Sequence, residues 1–239
     1  MLKKKRKYPI NNKMEFEAIY NHVLTVINST DVETAIVFCD YIIDILLKNL
    51  ESCMQLNFVY HEKSLSELSS KKGNAPEYRT FPYLPKSIRV NGKSIDLETD
   101  QFVDVDLKSC YLLRNTRKTT SLIKTMRILM KNRFAFDQSN HIAMYISYIN
   151  ACAFISEGVH SLSVAHFMKK GVIKAKLIDL SVIFPYVSTD GVNWYINDDY
   201  HSVTPVDDYK ISLIYEIAKA KYNLMKITGA SPCRTWKLT

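Results

Sequence analysis

The sequence predicts an α+β fold: an N-terminal helical hairpin, a central antiparallel or mixed β-sheet with a flanking helix, and a long C-terminal helix running into an extended tail. Three observations carry the prediction. Apolar residues recur at helical spacing towards both ends of the chain. Two turn dipeptides, Asn91-Gly92 between Ile88/Val90 and Ile95/Leu97 and Asp190-Gly191 between β-branched and aromatic residues, are the strongest short-range sign of a hairpin. The stretch "VDVDLK", residues 103–108, alternates apolar and charged residues with the period of a half-buried strand.

Phe16, Ile19, Tyr20, Val23 and Ile27 make the stripe of a first helix, with Asn12 as its cap. Thr30 and Glu33 have capping-box spacing before a second helix, whose stripe is Val32, Ala35, Ile36, Cys39, Ile43, Leu46, Leu47 and Leu50. Serines, lysines, Gly73 and three prolines interrupt any period over 61–86, which predicts a loop or linker. The expected organisation is a basic leader and helical hairpin over 1–60, that linker, and an α+β domain over 87–239; a single domain overall is the alternative.

Ile88/Val90 and Ile95/Leu97 flank Asn91-Gly92 as two strands, and a third starts near Gln101 after a turn centred on Thr99-Asp100. Thr119/Thr120 cap a helix that carries Leu122, Ile123, Met126, Leu129 and Met130. The short apolar run 141–155 is read as strand, "SVAHFMKKG" as a short helix, and 174–198 as two strands about a type I′ turn at Asp190-Gly191. Thr204 as cap, Pro205 in the first turn, Asp207 and Asp208 at the positive end and Gly229 as the stop bound the last helix.

The 239 residues are enough to bury a core without metal or disulfide staples, and 47% hydrophobic with 23% charged residues is ordinary globular usage. No apolar run reaches membrane-spanning length, and the basic start has no apolar signal core, so an intracellular location is expected, with no membrane partner. The five cysteines are widely spaced, with no Cys-x-x-Cys pair, and read as reduced thiols. A net charge of +8 suits a polyanionic partner, although "LKKKRK" at 2–7 supplies five of the charges.

Asp104, Asp106 and Lys108 share one face of the expected third strand. A turn at Thr99-Asp100 would put Asp96 opposite Asp104 and diagonal to Asp106, stacking three carboxylates. Such a cluster either lies in open water or holds a cation. Mg²⁺ favours hard oxygen ligands and substrate phosphates, and a lysine alongside could hold the attacking water. "IDLETDQFVDVDLKS" resembles the core of restriction-endonuclease-like (PD-(D/E)xK) nucleases, over residues 88–118. The resemblance implies Asp96 and Asp106 as metal ligands and Lys108 beside the attacking water, all three catalytic, with Mg²⁺ as cofactor. No proline precedes Asp96, and the triplet has Asp where Glu is commoner in that family. The plain alternative is the solvated outer face of a sheet whose inner face is Ile95, Leu97, Val103, Val105 and Leu107.

Arg114, Arg117 and Lys118 lead into the helix where Lys124, Arg127 and Lys131 form a basic stripe, with no acidic residue from Arg114 to Arg133. Such a stripe can track a phosphate backbone, DNA above all; a solvated helix face accounts for it equally well. The six histidines show no triad context. The functional expectation is a nucleic-acid-binding protein, with Mg²⁺-dependent phosphodiesterase chemistry if the carboxylates converge. The rival is a non-enzymatic assembly protein, such as a viral or phage structural or connector subunit, whose basic leader and "ASPCRTWKLT" arm reach onto neighbouring subunits in an oligomer or virion.

Overall fold

The computed structural model describes residues 11–70, 87–90, 93–113, 119–132, 134–196, 202–206 and 208–229. The basic leader, the Asn91-Gly92 turn, Arg114, Arg117, Lys118 and the C-terminal arm lie outside these residues. The architecture is α+β, and two compact units divide the chain: residues 1–43 with 183–239, and residues 44–182.

In the first unit, helix α1 (Asn11–Ser29) packs along the C-terminal helix α5 (Tyr209–Thr228). Helix α2 (Val32–Ser70) starts in this unit and ends in the second. The anticipated stripes are the buried ones: Phe16, Val23 and Ile27 on α1, and Ala35, Cys39, Ile43, Leu46, Leu47 and Leu50 on α2. Strands β8 (Val187–Thr189), β9 (Asn193–Ile196) and β10 (Ser202–Pro205) form an antiparallel sheet in the order β10-β9-β8. Trp194 and Tyr215 meet edge to face in its core, ring centroids 5.1 Å apart.

The second unit holds a two-stranded ladder, β1 (Ser87–Val90) with β2 (Lys93–Asp96), and a five-stranded mixed sheet. That sheet comprises β3 (Glu98–Asp106), β4 (Tyr111–Leu113), β5 (Ile142–Ile146), β6 (Ala151–Glu157) and β7 (Val172–Ile178), in the order β3-β7-β5-β6-β4. Its inner face, with Val105, Leu107, Ala143, Cys152, Ile173 and Ala175, packs on Val159, Leu162 and Ala165 of helix α4 (Val159–Phe167). Helix α3 (Thr119–Lys131) packs on α4.

Several local expectations are corrected. The helix α2 continues through 61–70, where a linker was expected, because "HEKSLSELSS" contains no Gly or Pro and its Leu, Lys and Glu propagate a helix. The rest of that range, 71–86, lies outside the described residues. At the start of α2, Asp31 rather than Thr30 is the cap: its Oδ1 accepts the Thr34 N–H at 2.9 Å, while the Thr30 hydroxyl donates back to the Val26 carbonyl at 3.0 Å. Asp208 caps α5, accepting the Lys210 N–H at 3.0 Å. Thr204 and Pro205 instead close β10, an edge strand, where a proline costs no ladder bond. Gly229 ends α5 in the left-handed region at φ 65°, as its position predicts. The Asp190-Gly191 hairpin forms, but as a four-residue loop between the Thr189 and Trp194 pair, with Gly191 at φ 84° and no positive φ at Asp190, so it is not type I′. Asp190 Oδ1 holds the loop by accepting from the Val192 and Asn193 amides at 3.0 and 2.8 Å.

Candidate nucleic-acid interface

The charged strand pairs differently from the sequence expectation. Asp96 ends β2 and faces Ser87 of β1; β3 pairs not with β2 but with β7, putting Lys174 opposite Asp104. The expected turn at Thr99-Asp100 is not formed: both residues lie inside β3, and only Leu97 stands between β2 and β3, so the chain does not fold back there. On β7 a cation, Lys174, stands across the ladder from Asp104. Glu98 and Asp106 face Ile178 and Val172, six residues apart on β7, so about 20 Å of strand separates them. Asp96 lies beyond the Glu98 end of that strand. Asp96 and Asp106 are therefore not brought together.

Asp106 has a local role instead. Its Oδ1 accepts the Lys108 N–H at 2.9 Å, and its carbonyl accepts the Ser109 and Cys110 amides at 3.1 and 3.2 Å. It thus folds the turn after β3 as an aspartate-anchored turn does. Lys108 sits exposed in that turn and not on the strand, so the phasing with Asp104 and Asp106 is lost. Among the described residues, no group of three or more His, Cys, Asp or Glu side chains is arranged to hold a metal ion.

The basic stripe, by contrast, is formed as expected. Leu122 is buried and Thr125, Met126 and Leu129 are half-buried, which fixes one side of α3 against the protein. At 100° per residue Lys124, Arg127 and Lys131 then fall diametrically opposite, and all three are exposed. Among the described residues none of the three forms an ion pair. Ile123, Ile128 and Met130, at 44%, 48% and 76% exposure, flank the ridge. From Lys124 to Lys131 the ridge is about 10 Å long, the axial length of roughly three base steps.

A cleft of about 400 Å³ opens beside the C-terminal end of this ridge, lined by Leu129, Lys131, Asn132, Phe134, Met168 and Lys170 among others. Among the described residues no carboxylate lines it.

Sequence reasoning missed one buried polar centre. Glu51 on α2 reaches His166 on α4: its Oε1 lies 2.8 Å from His166 Nε2 and also accepts the Leu112 N–H at 2.8 Å. His166 Nδ1 lies 2.7 Å from the Leu107 carbonyl. Beside it, the Tyr111 hydroxyl donates to Asp44, and burial pushes the Tyr111 phenol far above its ordinary value, with Asp44 adding to the shift. No local signal could have found this centre, since Glu51 and His166 are far apart in sequence. Cys39, Cys110 and Cys152 are buried free thiols, as the spacing implies; Cys39 is pushed up to about 12 by burial.

The model of a family described as "Family of unknown function (DUF6710)" matches residues 2–228. No curated protein and no solved structure matches the chain. No helix among the described residues is long and apolar enough to cross a membrane.

Proposed function

The chain belongs to the DUF6710 family, and we propose that it binds nucleic acid through the exposed ridge of α3. One observation carries the reading: Lys124, Arg127 and Lys131 stand at the apex of an amphipathic helix whose opposite side is anchored in the protein, and among the described residues no acidic side chain pairs with them. A rigid helix that presents three cations in line can replace condensed counterions along a phosphate backbone, and their release drives binding. An anionic membrane surface is the less favoured partner, because a helix that lies in a bilayer exposes an apolar centre, whereas here the centre is cationic and the apolar side chains flank it.

The nuclease reading has no support from the arrangement of Asp96, Asp106 and Lys108, and the proposal does not use it. The assembly reading depends on the leader and the arm, which lie outside the described residues.

Fluorescence anisotropy with labelled oligonucleotides tests the proposal. The wild-type protein is expected to bind with a steep salt dependence. Lys124→Glu/Arg127→Glu/Lys131→Glu should weaken binding at least tenfold and flatten the log–log salt slope by about two to three. Equal affinity and slope for the two proteins would overturn it. Plasmid incubated with Mg²⁺ is expected to stay intact. Cutting that stops with EDTA and with Asp106→Asn, which keeps the turn acceptor, would restore the catalytic reading.

A further inference from the structure

The cleft beside the ridge combines three kinds of group. Leu129, Phe134 and Met168, all half-buried, give it an apolar floor. Exposed Lys131 and Lys170 stand on its rim, and Asn132 adds an amide that both donates and accepts. The Phe134 ring is fixed: it lies against Gly171, where an added Cβ would come within 2.5 Å of Phe134 Cδ1, and packs on the His141 ring at 5.1 Å between centroids. Gly171 stands at φ 108°, so the absence of a side chain there both permits the backbone conformation and makes room for the ring.

An apolar floor with an aromatic ring, a bifunctional amide and two ammonium groups, with no lining carboxylate among the described residues, complements a flat apolar heterocycle joined to phosphates. The volume of about 400 Å³ falls within the range of small-ligand sites. Lys131 belongs to both the cleft rim and the α3 ridge, so a strand lying on the ridge passes the mouth of the cleft.

We propose that the α3–α4 cleft takes one unstacked base of a single-stranded nucleic acid, with the flanking phosphates on Lys131 and Lys170 and the base edge at Asn132. This rests on the nucleic-acid reading of α3 and adds strand type to it. A base inside a duplex is stacked and paired and cannot enter, whereas single strands offer free base faces to apolar and aromatic platforms.

The test compares a single strand with a duplex of equal length at one salt concentration. A second single strand carries 2-aminopurine as the emission reporter. The wild type is expected to bind the single strand more tightly and to change the 2-aminopurine emission. Asn132→Trp, which fills the cleft from an exposed position, should lose roughly tenfold in single-strand affinity, abolish the emission change and leave duplex binding as it was. Lys170→Glu should weaken the single strand selectively, and both variants should keep the wild-type circular dichroism and melting temperature. Equal affinity for the two forms, with Asn132→Trp indistinguishable from wild type while the α3 triple variant weakens both, would overturn the cleft and leave the ridge standing. No binding of either form would overturn both. Phosphatidylserine vesicles that bind as tightly and compete with the oligonucleotide would overturn the assignment in favour of a lipid surface.

Discussion

Glu51 shows how one side chain can fix several elements at once. Its Oε1 takes the Leu112 amide of β4 and faces His166 of α4, and both side chains are nearly enclosed, at 14% and 7% exposure. Removing the carboxylate strands two buried polar groups with nothing to replace it, the situation in which a buried pair matters most. Glu51→Ala is therefore expected to cost about 3 kcal/mol of stability in urea unfolding. Glu51→Gln keeps an oxygen for the Leu112 amide and should cost clearly less than the alanine variant. Equal midpoints for wild type and both variants would mean that the pair does not hold α2, β4 and α4 together. The same centre explains why His166 carried no sequence signal. Its partners, Glu51 and the Leu107 carbonyl, are set by tertiary packing and not by spacing along the chain.

At the scale of elements, helix starts depend on a competition among neighbouring oxygens. Thr30, Asp31 and Glu33 all suit the start of α2, and the sequence alone favours the Thr30/Glu33 box. In the structure the Thr30 hydroxyl is engaged with the end of α1, which leaves Asp31 to meet the Thr34 amide. The hydrogen bonds from Thr34 hold the Asp31 carboxyl below its ordinary value. Asp31→Ala should lower the melting temperature by several degrees, and Thr30→Ala by clearly less, measured by thermal unfolding. The reverse order would restore the capping box. The same contrast marks what was legible. The apolar stripes of α1 and α2, the two hairpins and the basic ridge of α3 follow from periodicity and turn dipeptides, which are local; the run 141–155, read as one strand, makes two, β5 and β6, with a turn at 147–150 between them. The partner of β3 is not local: the strand runs on through Thr99-Asp100 and pairs with β7, more than 60 residues further along the chain, which separates Asp96 from Asp106. The cleft was illegible for a similar reason, because Phe134, Met168 and Gly171 converge only through the packing of α3 on α4.

The two units carry opposite protonation liabilities. In residues 44–182, burial lowers the His141 pKa, with Asp137 opposing the shift, and Nδ1 accepts the Asp137 amide at 2.9 Å. The folded state thus favours the neutral ring. The unfolded chain takes up a proton first on acidification, so the stability from His141 is present above its ordinary value of 6.5 and is lost as pH falls below it. In the other unit Glu216 is 7% exposed, and burial raises its pKa, with Lys219 and the Thr189 amide opposing. Here the folded state holds the proton longer. Its contribution is complete below the ordinary value of 4.5 and is lost as pH rises through the raised one. Trp194 is buried in that unit, and no tryptophan lies in 44–182, so a change in the buried indole's emission follows that unit. Glu216→Gln keeps an oxygen for the Thr189 amide, which Glu216 Oε1 accepts at 2.9 Å, and removes the buried charge. Its emission-detected melting midpoint should exceed that of the wild type at pH 8, and the gain should shrink to nothing by pH 4. A gain that is independent of pH, or that grows in acid, would show that Glu216 is ionised without penalty in the folded protein.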